Sequence, residues 1–186
     1  VDCVLSVLPF EAEWYRTRGV DVEYVGHPFF DEVAEHVLDC ETMNRLNSPG
    51  TLTLGILPGS RKQEVNRNFP IMLEIMETLH RRYPHVRFPV ACYKQWHHDR
   101  CLQLLSEHGA ELPIELFVSR TPEVIEAADC CLMVSGSVSL ELLARRTPAV
   151  VMYRAGALTY HVGWRLATCR YITLPMVFSK NPTTGK

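Results

Sequence analysis

The sequence predicts an α/β fold, in which a Rossmann-like parallel sheet is flanked by helices. Short apolar segments alternate regularly with helical segments, and the connections between them are short. The predicted strand over 51–57 is apolar nearly throughout, as strands covered on both faces are. With 186 residues, 47% of them hydrophobic, the chain can bury the core of one domain, or of one domain plus part of another.

The elements follow one another in a regular order. A strand over 4–8, a helix over 10–18 that ends at Gly19, and a strand over 20–25 come first. A helix over 31–45 and a turn over 47–50 lead into the main alternating region. The predicted elements of that region are strands over 51–57, 86–91, 114–118, 129–134 and 149–153, with helices over 70–82, 99–108, a short stretch from Thr121, 137–145 and 158–168.

Two turns rich in Gly and Ser each follow an apolar strand and precede a helix. The first is Pro58-Gly59-Ser60-Arg61, with Glu64 shortly after it. Gly59 would let a ligand approach the backbone, Ser60 could donate to a phosphate oxygen, and Arg61 carries a planar fork that matches a diphosphate. An ordinary strand-to-helix turn with an exposed arginine explains the same residues, so this turn alone leaves both interpretations open.

The second turn is Ser135-Gly136-Ser137, at the start of a helix that carries Glu141. A helix N-terminus presents unpaired backbone N–H groups and a positive dipole end, both of which favour phosphate. A carboxylate at Glu141 could accept both hydroxyls of a ribose. The alternative is a helix capped by serine with a glutamate in its first turn. Because parallel strands end at one edge of a sheet, the two turns together predict a nucleotide diphosphate site.

Other kinds of chemistry are disfavoured. A net charge of −2 with scattered basic residues argues against nucleic-acid binding, and Arg145-Arg146 is expected at a solvated helix end. No HExxH, CxxC, GxSxG, Walker A or GxGxxG pattern occurs, so no metal site or hydrolase elbow is expected. The seven cysteines predict reduced thiols in cytosolic packing. His27 could face a cleft, although a histidine satisfied within its own turn is the preferred interpretation.

Through the two turns and four further motifs the chain resembles the lipid-A-disaccharide synthase family, whose members are glycosyltransferases with the two-domain GT-B architecture. The resemblance implies that the predicted Rossmann-like sheet is the C-terminal domain of a GT-B glycosyltransferase. The resemblance covers about residues 4–175, and six motifs in the same order make it specific. The motifs are Val7-Leu8-Pro9-Phe10-Glu11, Val25-Gly26-His27-Pro28, Leu57-Pro58-Gly59-Ser60-Arg61 with Glu64-Val65, Ser135-Gly136-Ser137 with Leu140-Glu141, Pro148 to Arg154 with Thr159, and Tyr171-Ile172-Thr173-Leu174-Pro175.

The resemblance implies transfer of 2,3-diacylglucosamine from UDP-2,3-diacylglucosamine to 2,3-diacylglucosamine 1-phosphate, giving lipid A disaccharide 1-phosphate and UDP. It implies no metal or organic cofactor, so basic side chains and helix ends would neutralise the departing UDP. Arg61 would be the catalytic residue that stabilises the diphosphate. The implied UDP-binding set is Gly59, Ser60, Arg61, Glu64, Ser135, Gly136, Ser137 and Glu141, and Arg154, like His27, could face the cleft.

Because donor and acceptor are lipids, the resemblance also implies a cytoplasmic location with peripheral contact to the inner membrane, and an oligomer is possible in the full-length enzyme. The aromatic and basic residues over 158–168 suit a membrane surface and a packed helix between domains equally well.

Three regions are predicted. Residues 1–27 would be a remnant of the N-terminal acceptor-side domain, 28–175 the UDP-sugar-binding domain, and 176–186 a polar tail. The family's presumed general base lies in the N-terminal domain, and Met176 stands where the family usually has Asn, so this piece alone is expected to be inactive. The alternatives are a non-catalytic UDP-binding module or remnant, and another GT-B UDP-sugar enzyme such as a UDP-N-acetylglucosamine epimerase.

Overall fold

The computed structural model describes residues 3–47, 49–109 and 111–152. The chain divides into two compact units between Val37 and Leu38. In the first unit two short parallel strands pair with Val4 opposite Val22, and a helix connects them. This unit contains β1 (Val4–Ser6), α1 (Pro9–Arg16), β2 (Val22–Tyr24) and α2 (Pro28–Glu35).

The second unit is built on a five-stranded sheet in which every pair of neighbouring strands is parallel. Its elements are α3 (Cys40–Leu46), β3 (Leu54–Leu57), α4 (Lys62–Arg82), β4 (Phe88–Cys92), α5 (Gln95–His108), β5 (Ile114–Val118), α6 (Thr121–Ala127), β6 (Cys130–Val134), α7 (Val138–Arg145) and β7 (Ala149–Met152). The strand order is β5-β4-β3-β6-β7. The predicted α/β class, with a parallel sheet between helices, is confirmed.

Helices cover both faces of this sheet, which explains its apolar strands. On one face α4 supplies Phe69 and Met76, and α5 supplies Leu104, to a cluster that also contains Ile56. On the other face α3, α6 and α7 pack against the next strand residue, Leu57. Successive strand residues point to opposite faces, so the continuous apolar run in β3 fills two separate cores.

The predicted helix over 31–45 is wrong, because the chain leaves helical geometry between α2 and α3. Asp39 is extended and caps α3: its Oδ1 accepts from the Thr42 backbone N–H at 2.9 Å and from the Thr42 hydroxyl at 2.6 Å. These hydrogen bonds lower the pKa of the Asp39 carboxyl. An aspartate that binds the backbone in this way starts a helix rather than continuing one.

Two other helices begin earlier than predicted, at Lys62 instead of residue 70 and at Gln95 instead of residue 99. In both, the side chain of the third helical residue accepts a backbone N–H from the residues just before the helix. Glu64 does so in α4 and His97 in α5. Pro70 therefore lies inside α4, where its ring removes one helical hydrogen bond without ending the helix.

Among residues 3–47, 49–109 and 111–152, no helix has the length and apolar character needed to cross a membrane. The same residues include free thiols that are buried in the core, and burial raises the pKa of Cys131 to about 12.

Several predictions concern residues outside the described ranges. They are the helix over 158–168, Arg154, Thr159, the segment 171–175 and the tail over 176–186. The assignment of 1–27, 28–175 and 176–186 to three functional regions stays a prediction.

Candidate functional site

The two Gly- and Ser-rich turns follow neighbouring strands at one edge of the sheet. β3 and β6 are hydrogen-bonded neighbours, and Leu57 pairs with Met133 just before the turns begin. The strand order reverses between them, since the chain continues from β3 to β4 on one side and from β6 to β7 on the other. Open α/β sheets bind their ligands outside the carboxyl ends of the strands at such a switch point. The turns therefore meet where a ligand is expected.

The turn after β3 is closed by the carboxylate of Glu64. Its Oε2 accepts the backbone N–H of Ser60 at 3.0 Å and that of Arg61 at 3.1 Å. Gly59 has a φ of 110°, and a Cβ there would lie 2.6 Å from the same oxygen, so only glycine fits. An internal carboxylate thus occupies two of the N–H groups that the sequence pattern offers to a phosphate.

Arg61 is the exposed cation of this turn. Its side chain is 83% exposed, and its Nη1 lies 3.5 Å from Oε1 of Glu64. An ion pair this exposed contributes about 0–1 kcal/mol to stability. The guanidinium can therefore turn towards an incoming anion at little cost.

The turn after β3 is also held by His97, at the start of α5. The His97 Nδ1 accepts the Lys94 backbone N–H at 3.1 Å, so the ring proton is assigned to Nε2. This Nε2–H donates to the carbonyl oxygen of Ser60 at 2.8 Å. The side chain is almost fully buried, with 1% of the residue exposed. Sequence reasoning missed His97, because no local motif marks a contact between residues 37 positions apart.

The turn after β6 is open. Gly136 and Ser137 are exposed, and their backbone N–H groups make no hydrogen bond to any residue that the structure describes. Ser137 lies at the N-cap of α7 without a side-chain cap bond, which contradicts the alternative of a serine-capped helix. A Cβ at Gly136 would meet nothing within 4 Å. This turn leaves donors at the positive end of α7 facing solvent.

Glu141 lies one turn inside α7, with 12% of its side chain exposed. Its Oε1 accepts from Nε of Arg145 at 3.2 Å, and Nη1 of Arg145 donates to Oε2 of Glu126 at 3.0 Å. The expectation of a solvated Arg145 is therefore wrong, since only 7% of its side chain is exposed. The ion pair with Arg145 fixes the rotamer of Glu141 at the edge of the site.

Of the two predicted cleft residues, His27 and Arg154, only His27 is among the described residues. His27 lies in the first unit, where its Nδ1 accepts the Phe29 backbone N–H at 3.2 Å and caps α2. These contacts are those of a histidine satisfied within its own turn. Arg154 lies outside the described residues. Within the described ranges, no three His, Cys, Asp or Glu side chains are grouped to hold a metal ion.

Comparison with solved structures first defines the class of fold. The S. aureus MnaA–UDP co-structure aligns with a TM-score of 0.64 at 13% identity, over 87% of this chain and 46% of that one. Together with the strand order, this confirms the predicted Rossmann-like domain of the GT-B kind.

Sequence comparison then defines the family. A family model described as lipid-A-disaccharide synthetase matches residues 1–184. The lipid-A-disaccharide synthase of Hahella chejuensis is 36% identical over 176 residues, or 94% of this chain and 44% of that protein. The enzyme of the same name from Idiomarina loihiensis is also 36% identical, over 46% of its length. The chain belongs to the lipid-A-disaccharide synthase family, and it spans about half the length of these relatives.

Proposed function

We propose that this chain forms the donor-binding part of a lipid-A-disaccharide synthase, a glycosyltransferase that uses UDP-2,3-diacylglucosamine. The observation that carries the proposal is the open N-terminus of α7, which follows β6 at the switch point beside the turn that carries Arg61. Family membership and the UDP named for the S. aureus MnaA structure support a uridine diphosphate group as the ligand.

The proposed diphosphate contacts divide between the two turns. The N–H groups of Gly136 and Ser137, which no described residue occupies, would hold phosphate oxygens together with the hydroxyls of Ser135 and Ser137. Arg61 would approach from the turn after β3 and leave its weak pairing with Glu64. The diphosphate would thus be bound by helix-end donors on one side and by an exposed cation on the other.

The remaining residues of the predicted set have supporting roles in this proposal. Glu141, held by Arg145, would accept the ribose hydroxyls. Gly59 and Ser60 would form the wall beside the diphosphate, and Glu64 would keep that wall in shape through its two backbone hydrogen bonds. The Glu64 carboxylate is itself an anion and already accepts two N–H groups, so its role is to support the turn rather than to contact the diphosphate.

In the proposed reaction, the bond between the anomeric carbon and the diphosphate oxygen breaks, and the acceptor 6-hydroxyl oxygen forms the new bond to that carbon. The hydroxyl proton would pass to a general base in the acceptor-side domain. Negative charge builds on the departing diphosphate oxygen. Arg61 and the α7 donors would stabilise this charge more in the transition state than in the ground state.

The lipid substrates give the proposal its cellular setting. Acyl chains on both donor and acceptor would bring the enzyme to the cytoplasmic surface of the inner membrane. Peripheral membrane contact, an acceptor-side domain and oligomer formation are parts of this proposal.

A calorimetric titration with UDP, without added metal, tests the ligand. We expect saturable binding of UDP and at least tenfold weaker binding of UMP, because UMP lacks the phosphate that Arg61 would contact. Equal affinity for UDP and UMP, or no binding of UDP by folded protein, would contradict the proposed site.

A donor assay with the natural full-length protein separates the proposed reaction from the alternatives. We expect turnover of UDP-2,3-diacylglucosamine with the diacylglucosamine 1-phosphate acceptor. Conversion of UDP-N-acetylglucosamine to its 2-epimer would favour the epimerase alternative. Binding of UDP without turnover of any donor would favour a non-catalytic module.

A further inference from the structure

We propose that His97 is a positioning residue for the diphosphate site, because it fixes the peptide unit that carries Arg61. This inference rests on the proposed function for its ligand, and its physical basis is the hydrogen bonding of the turn after β3. His97 contacts Ser60, and its proposed effect on the diphosphate is transmitted through the backbone of the turn after β3.

The peptide unit between Ser60 and Arg61 is held at both ends. Its carbonyl oxygen, on Ser60, accepts from Nε2 of His97 at 2.8 Å, and its N–H, on Arg61, donates to Oε2 of Glu64 at 3.1 Å. A peptide unit is planar, so two hydrogen bonds on its opposite edges fix its orientation. That orientation sets the direction in which the Arg61 side chain leaves the backbone.

The turn needs this support because it contains Gly59. Glycine populates left-handed and right-handed conformations about equally, so the backbone before Ser60 has little stiffness of its own. Without the bond from His97, the peptide unit would keep only the contact with Glu64, and it could rotate about that contact. Arg61 would then sample several directions, and diphosphate binding would have to select one of them.

The imidazole itself is held in place. The Trp96 ring stacks on it with centroids 3.5 Å apart and planes inclined by 24°, and the Tyr93 ring meets it edge-on at 6.0 Å. Its Nδ1 is engaged by the Lys94 N–H. Both ring nitrogens and one ring face are therefore occupied, so His97 links the N-terminus of α5 rigidly to the turn.

The two functions of the ring can be separated by substitution. In His97→Asn the amide oxygen can replace Nδ1 and keep the bond from Lys94, but no donor reaches Ser60. In His97→Gln the longer side chain can place an amide N–H near the position of Nε2 and restore the bond to Ser60. His98 provides a matched control, since it lies next to His97 but contacts Gln95 and Asp99 at the surface.

The experiment measures two quantities in the natural full-length protein: amide hydrogen exchange at Arg61 without ligand, and the Kd for UDP. In His97→Asn we expect exchange at Arg61 to rise and UDP binding to weaken about tenfold, as loss of one buried hydrogen bond predicts. His97→Gln should recover both quantities to within about threefold. His98→Asn should leave both unchanged.

The results distinguish this inference from the proposed function. Unchanged exchange and affinity in His97→Asn, or equal losses in His97→Asn and His97→Gln, would overturn the positioning role. Failure of the wild-type protein to bind UDP, with exchange still raised in His97→Asn, would overturn the ligand but support the role of His97 in the turn. If His97→Asn does not fold, nitrogen NMR of wild-type His97 decides, because a proton on Nδ1 would overturn the inference.

Discussion

The two turns at the edge of the sheet have similar compositions but differ in whether their backbone N–H groups have an acceptor among the described residues. The turn after β3 satisfies its own N–H groups with Glu64, and His97 holds its carbonyl. The turn after β6 leaves the N–H groups of Gly136 and Ser137 without an acceptor among the described residues. A Gly-Ser turn before a helix therefore does not by itself identify an anion site, because a side chain of the same turn can already occupy it.

The third residue of the following helix explains the difference. In α4 this position holds Glu64, whose carboxylate reaches back to the turn. In α7 it holds Leu140, which is buried and has no acceptor to offer. The acid of α7 comes one residue later, at Glu141, and is paired with Arg145. A shift of one position decides whether the helix N-terminus is closed or open.

Arg61→Ala is expected to have the largest effect, because it removes the one side-chain cation proposed to come from the closed turn. By analogy with the loss of an oxyanion donor, kcat/KM of the full-length enzyme should fall by about 10²–10³. Arg61→Lys should recover part of this loss, since a point charge replaces a fork. Steady-state kinetics measure both variants. An unchanged kcat/KM in Arg61→Ala would mean that the closed turn takes no part in the reaction.

The second prediction compares alanine at the two turn glycines. Gly59→Ala should lower the free energy of unfolding by about 2–4 kcal/mol, because it combines a left-handed φ with overlap against Glu64. Gly136→Ala should change it by less than about 0.5 kcal/mol, since its Cβ meets open space.

Urea unfolding measures the stability of both variants, and UDP titration measures the ligand site. For the open turn, stability and UDP affinity should respond differently. Gly136→Ala is expected to remain stable while binding UDP more weakly, because its methyl group enters the space proposed for phosphate. Equal loss of stability in the two variants would show that the turns do not differ as described.

The order of strands and helices could be predicted because it depends on local patterns. Apolar strands such as β3 and β6 and the amphipathic face of α4 are visible in short windows of sequence. The starts of α4 and α5 were missed, because each depends on a side chain that caps from within the helix, Glu64 or His97. Proline at residue 70 gave a stronger local signal than either cap.

For the candidate site, the sequence predicts only which residues belong to the two turns. Strand neighbours β3 and β6 bring those turns to one edge, as the alternating pattern indicated. Which donors are free depends on contacts between distant residues, such as that of His97 with Ser60. The same holds for Arg145, whose buried side chain pairs with Glu126 from another helix. No local pattern contains these partners.

Ser137→Ala should give the smallest effect and the sharpest test of the open turn. An N-cap serine that binds its helix contributes about 1 kcal/mol, whereas Ser137 makes no such bond, so the free energy of unfolding should change by only a few tenths of a kcal/mol. Its hydroxyl remains available to phosphate, and UDP affinity should fall about threefold to tenfold. A loss of 1 kcal/mol in unfolding with unchanged UDP affinity would instead identify Ser137 as a helix cap, and the open turn would then be as closed as its neighbour.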